Sequence, residues 1–385
     1  MRIRVSRVEL YELTLPLAEP FIISGGAITE RRSLIVVLED ADGHIGYGES
    51  PPFGFPFYSE ETLASARDML ERVLLPRVLG PEFASIEALD AALRVGVRGN
   101  AFARAGLETA AWDLVARRTG RGLADVLAEA LGVRRAAEVP CGVALGIPAD
   151  RSLDTLRAQV ADAVAAGYRR VKIKVMPGWD TEPVAAASGV LRGTDLPLTV
   201  DANGSFEWPR DEAALRALDG FGLLYIEQPL PPDELVGHAT LARALTTPVC
   251  LDETLRDARA ARQVLELGGP MIWNVKVHRV GGLSEVGRIW RVARDAGVRL
   301  WAGTMPESGI GSQAALAAAS LPGFDLPSDL EPSARWFGRN ADVIKLTVRP
   351  DGTMAVPGQP ISRLLDERRF RTSSQRLLSL HVPAA

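Results

Sequence analysis

The chain has 385 residues, 47% of them hydrophobic and 24% charged, with a net charge of −4. That is an ordinary globular balance, long enough for a barrel plus a smaller domain, and it lacks the basic run that nucleic-acid binding requires. No window reaches the length of a membrane span, and the first 17 residues alternate instead of forming a signal-peptide core, so a soluble cytoplasmic protein is expected.

Residues 1–17 predict a first strand. Residues 20–31, with Gly25-Gly26, read as a mobile loop. Residues 33–50 predict two strands joined at Asp42-Gly43, a hairpin signal. Residues 51–62 are rich in proline and aromatics, and 60–100 read as helices. Residues 101–131 are strongly helical and contain Asp113, expected to be a structural partner or solvent-facing and given no catalytic role. Together these make an α+β domain over 1–130. VPCGVALG (139–146) predicts the first barrel strand, and 152–167 its helix. The two cysteines, Cys141 and Cys250, each lie inside an apolar run, which predicts packed thiols instead of a disulfide or zinc site.

From residue 171 onward a unit repeats. Short apolar runs end at or near Lys174, Asp201, Glu227, Asp252, Lys276 and Gly303, in steps of 27, 26, 25, 24 and 27. Apolar runs without alternation suit strands buried on both faces, and the stretches between them carry helical spacing closed by glycine. Strand and helix alternating at this period is the βαβ unit, and about eight units close a barrel whose chemistry sits at the strands' C-terminal ends. FDLPSD (324–329) predicts the last strand, so 131–330 forms the barrel. Residues 343–357 look like a hairpin turning at Asp351-Gly352, within a segment, 331–385, expected to rejoin the first domain. The fold class is therefore α/β, a modified (β/α)7β TIM barrel with an α+β capping domain built from both ends of the chain.

Asp201, Glu227 and Asp252 end three consecutive strands. Side by side they repel, and a divalent cation resolves this. All-oxygen donors favour Mg²⁺, with Mn²⁺ as a substitute. Any one such carboxylate could instead cap the next helix, but three in register weaken that alternative. Lys174 and Lys276 flank them. Near a cation and partly desolvated, a lysine's pKa falls and it can act as a base. The set specifies proton abstraction next to a carboxylate, with a base on either face. Each lysine alone would read as a salt bridge. Lys172 shares a strand face with Lys174 and is expected to lower its pKa; Asn203 and Glu253 are expected to support the ligands. Glu307 either orients Lys276, lines the pocket or caps a helix, and His278 is expected in a loop. Gly25, Gly26, Phe53, Phe55, Phe57 and Tyr58 either form a lid or pack the domain junction.

The motifs K-x-K at Lys172–Lys174, D-A-N at Asp201, I-E-Q-P at Glu227, L-D-E at Asp252 and N-x-K at Lys276 resemble those of the enolase superfamily, muconate-lactonising subgroup. Residues 139–147, 238–243, 279–282 and 307–311 look most like its o-succinylbenzoate synthase and N-acylamino acid racemase branch. Ala144 and Thr304 depart from that branch's usual serine and glycine. The resemblance implies Mg²⁺ on Asp201, Glu227 and Asp252, with Lys174 and Lys276 as the acid/base pair. It also implies a small-molecule carboxylate substrate at a pocket including Gly303, no nucleic-acid or membrane partner, and a homo-oligomer. The implied activity is o-succinylbenzoate synthesis by dehydration, with N-succinylamino acid racemisation. The alternatives are a muconate cycloisomerase-like enzyme, another racemase or epimerase of the superfamily, or, in a different class, a non-catalytic anion-binding barrel.

Overall fold

The computed structural model describes residues 1–23, 26–338 and 341–382. Gly25 lies outside the described residues. Strands β1 (Ile3–Ile23), β2 (Gly26–Asp40) and β3 (Ile45–Ser50) form an antiparallel sheet. The hairpin at Asp42-Gly43 forms, with Gly43 at a φ of 78° that glycine adopts without strain. Residues 20–23 and 26–31 correct the loop expectation: their backbone extends β1 and β2, pairing Phe21 with Ile28 and Ile23 with Gly26.

Helix α1 (Ala101–Thr119) crosses this sheet, and it can do so closely because β3 carries glycine there. A Cβ on Gly48 would collide with the backbone of Gly106 and Ala110. Asp113, fully buried on α1, accepts the backbone N–H groups of Tyr47 and Ile361, each at 2.9 Å. It is the structural partner the sequence allows.

The barrel strands follow as β4 (Gly142–Leu145), β5 (Arg170–Lys174), β6 (Leu198–Asp201), β7 (Ile226–Glu227), β8 (Val249–Leu251), β9 (Ile272–Val275) and β10 (Arg299–Ala302). All pair in parallel and in chain order. Residues 326–329 close the ring. Leu326 and Asp329 donate backbone N–H groups to Leu300 and Ala302 on one side, while Ser328 exchanges bonds with Pro140 and Gly142 on the other. Each barrel strand is followed by a helix, among them α2 (Val277–Val280), α3 (Leu283–Ala296) and α4 (Gly309–Ala319). His278 therefore lies in a helix and not a loop. It is buried, and burial holds its imidazole down at about 3, which keeps it neutral.

Strand β11 (Ser374–His381) pairs antiparallel with β1, so the tail returns to the first sheet. The hairpin expected at 343–357 does not form. Asp351-Gly352 does make a turn, but Thr353–Ala355 pairs with Glu138–Pro140. Residue period identifies a strand without naming its partner. Cys141 and Cys250 are free and buried. Among the described residues, no helix is long and apolar enough to cross a membrane.

Candidate active site

Strand register sets the site. Lys174 of β5 stands opposite Asp201 of β6, and Asp201 opposite Glu227 of β7, so one row crosses three strands. Glu227 pairs with Cys250, which puts Asp252 two residues beyond on the same face. Val275 pairs with Ala302, which places Lys276 level with Gly303. A Cβ on Gly303 would stand 2.8 Å from Lys276 Cε and closer still to the Asn274 amide, so glycine is required there.

Each carboxylate is held by a cation. Lys174 Nζ donates to Asp201 Oδ2 and to Asn203 Oδ1, both at 2.6 Å. Lys172 Nζ donates to Glu227 Oε2 at 2.9 Å and lies 3.6 Å from Asp201 Oδ2. Lys276 Nζ donates to Asp252 Oδ2 at 2.9 Å and to the Tyr58 hydroxyl at 3.0 Å, while Arg279 donates to the other Asp252 oxygen. Asn203 also donates to Glu253 Oε1 at 2.9 Å; Glu253 Oε2 is buried without a partner. Asn274 Nδ2 donates to Glu227 Oε1 at 2.9 Å.

The electrostatics follow from this packing. Burial pushes Asp201 up, but Lys174 and Lys172 more than reverse it and hold the carboxyl at about 2. Glu227 is raised, by burial and then by repulsion from Asp201. Lys276 feels opposing influences. Burial alone would lower it, yet Tyr58, Glu253 and Glu227 hold its ammonium well above the usual lysine range. Lys172 likewise lies high, because Asp329, Glu227 and Asp201 outweigh its burial.

Asp201, Glu227 and Asp252 are each engaged by an ammonium or guanidinium, and Lys172 touches both Asp201 and Glu227. Among the described residues, Asp40, Asp42 and His44 at the β2–β3 turn bring three ligand-type atoms within 4.8 Å of one another. There Asp40 already accepts from Arg118 and from the backbone of Asp42 and His44, which is turn chemistry. The strand-end set nonetheless suits a hard divalent cation. Its donors are all oxygen, at most 2% exposed, and Glu227 carries a repulsion that added positive charge relieves.

The aromatic segment makes two kinds of contact. Phe53 packs with Phe102 and Met305 at the junction, while Tyr58 reaches Lys276. Phe55 points to solvent. Glu307 does not orient Lys276. It accepts from the Met305 backbone, and burial raises it to about 7. Nor does it cap α4: Glu49 of β3 does, accepting from Ser308 and Gly311.

Sequence reasoning missed Arg279, Asn274, Glu49, Arg31 and Asp329. Arg31, fully buried, donates to the carbonyls of Pro51, Pro52, Met305 and Pro306, tying the aromatic segment to the barrel. The Asp329 carboxylate accepts from Lys172 at 2.6 Å and from Arg170. It stands 26 residues after Gly303, so the step that found the other strand ends also points to it.

Residues 155–360 match the enolase C-terminal domain-like family, and residues 6–128 match the N-terminal domain of the mandelate racemase / muconate lactonizing enzyme family. The chain belongs to the enolase superfamily and is an enzyme. It is 43% identical to the N-succinylamino acid racemase of Thermus thermophilus over 92% of each chain. It is 38% identical to the o-succinylbenzoate synthase of Bacillus subtilis over 93% of each. A crystal structure of an enolase superfamily member from Enterococcus faecalis superposes with a TM-score of 0.88 at 34% identity, covering 98% of this chain and 99% of the other.

Proposed function

We propose that this enzyme removes the proton α to a substrate carboxylate in a Mg²⁺-dependent reaction, acting as an o-succinylbenzoate synthase that also racemises N-succinylamino acids. The observation that carries this is the row Lys174, Asp201, Glu227 with Lys276 on the far side beside Asp252. Asp201, Glu227 and Asp252 would hold the metal. When bound, Mg²⁺ supplies positive charge beside the substrate carboxylate, stabilising the negative charge that develops on deprotonation.

Lys174 is the base. Its side chain is 31% exposed, so it is open to a substrate at the barrel mouth, whereas that of Lys276 is 11% exposed under Tyr58. Asn203 and Asp201 orient Lys174 Nζ. In the synthase reaction Lys174 takes the α-proton of the cyclohexadiene carboxylate and then gives that proton to the departing hydroxyl, which leaves as water, while Lys276 stays cationic. In racemisation one lysine takes the proton and the other returns a proton to the opposite face. Lys172, Asn203 and Glu253 support the ligands, and Gly303, Glu307 and Tyr58 border the pocket. The names of the two relatives described above support both activities.

The test is a turnover screen with Mg²⁺ on the synthase substrate and on N-succinylamino acids in D₂O. Both enantiomers should exchange their α-proton, and Lys174→Ala should lower turnover by about 10²–10⁴-fold. Full turnover in that variant refutes the assigned base. As part of the same reading we take 1–130 with 331–385 as the capping domain and 131–330 as the barrel, supported by the return of β11 to β1. Cytoplasmic residence and self-association belong to it too; sedimentation of the purified enzyme checks the latter.

A further inference from the structure

Arg170, Lys172 and Lys174 occupy alternate positions of β5, so all three face the barrel interior at increasing height. The first two are buried, and their charges stack against Trp301: the Arg170 guanidinium lies 5.0 Å from its ring centroid and Lys172 Nζ 4.7 Å. Two buried cations below a divalent metal ion would disfavour that ion. At close range inside a protein, an unopposed unit charge is screened far less than in water and weighs against binding another cation.

One residue faces both. Asp329, from the segment that closes the barrel, accepts from Arg170 through Oδ1 and from Lys172 through Oδ2 at 2.6 Å. Arg170 is further fixed by the Tyr225 hydroxyl at 3.1 Å. Asp329 is the shortest of Lys172's three carboxylate contacts, ahead of Glu227 at 2.9 Å and Asp201 at 3.6 Å. Glu227 and Asp201 are the two that a metal ion would claim. Asp329 is thus the partner left to Lys172 once they are engaged.

We infer that Asp329 is a positioning residue that cancels the Lys172 charge from beneath, so that Lys172 and the divalent cation can share Asp201 and Glu227. Arg170 aims it. This rests on the metal-site reading above, and the test separates the two.

The experiment is a double-mutant cycle on the full-length enzyme, with bound Mn²⁺ counted by electron paramagnetic resonance, a readout independent of turnover. Asp329→Asn should weaken Mn²⁺ binding at least about tenfold. In a Lys172→Met background, where no ammonium needs an opposing charge, the same substitution should cost less than about threefold. An equal loss in both backgrounds overturns the inference, because Asp329 would then serve structure alone. Unchanged binding in Asp329→Asn overturns it as well. If Asp329→Asn fails to fold, a folded double variant that binds like Lys172→Met upholds the inference, and an unfolded one overturns it. If the unaltered enzyme binds no Mn²⁺, the metal-site reading itself fails.

Discussion

At Gly303 a missing side chain decides how near Lys276 can approach the neighbouring strand. Adding a methyl group there forces Lys276 Cε and the Asn274 amide aside. Overpacking of this kind typically costs 1–3 kcal/mol, and here it displaces a proposed acid/base group. Gly303→Ala should therefore lower kcat more than it lowers the melting temperature; unchanged kcat in a variant with reduced Tm would show that Lys276 tolerates the shift. The sequence made Gly303 visible through its place in the step. It could not show that the residue owes its identity to Asn274 and Lys276, because that depends on how two strands face each other. The same limit explains Lys276 itself. Its contact with the Tyr58 hydroxyl comes from 218 positions away, beyond the reach of any local pattern.

At the scale of elements, α1 and β3 are joined through Asp113, whose burial raises its carboxyl to about 7. An unfolded aspartate titrates near 4, so between these values the folded state holds the proton more tightly. The group therefore favours folding at the acid end of that window, and its contribution is lost as pH rises toward 7. Replacing it with asparagine should flatten this dependence. From pH 5 to 7 the unaltered enzyme should lose about 2 kcal/mol relative to Asp113→Asn in urea unfolding, and a constant difference would contradict the assignment. Most elements were legible because periodicity is local. Those misread depended on pairing that period does not carry: Thr353–Ala355 finds Glu138–Pro140, and residues 20–23 pair with 26–31 as strand arms. Asp329 was within reach of the repeat. It went unassigned because its role belongs to Arg170 and Lys172, which precede it by 159 and 157 residues.

At the scale of the whole molecule, the barrel concentrates buried like charges at one end, and each is held by an opposing group from another strand. A divalent cation that binds only the folded state adds to stability by mass action. With Mg²⁺ at 100 times its Kd, about 2.7 kcal/mol is expected, so the melting temperature should rise by several degrees and fall back on chelation. A Tm indifferent to both Mg²⁺ and chelator would argue against a metal at Asp201, Glu227 and Asp252. The family and barrel could be read from the sequence because strand-end chemistry recurs at a fixed step. How the cap meets the barrel could not, because Glu49 and Arg31 bridge more than 250 positions.

Glu49 bears a consequence for engineering. It starts a barrel helix from a strand of the other sheet, and Glu108 on α1 does the same for α3 through Leu283 and Ser284. Chimeras that exchange the front third of this chain for a relative's would swap the acceptors and keep the helix ends that need them. Functional hybrids should come from cuts that transfer each acidic residue together with the amides it receives.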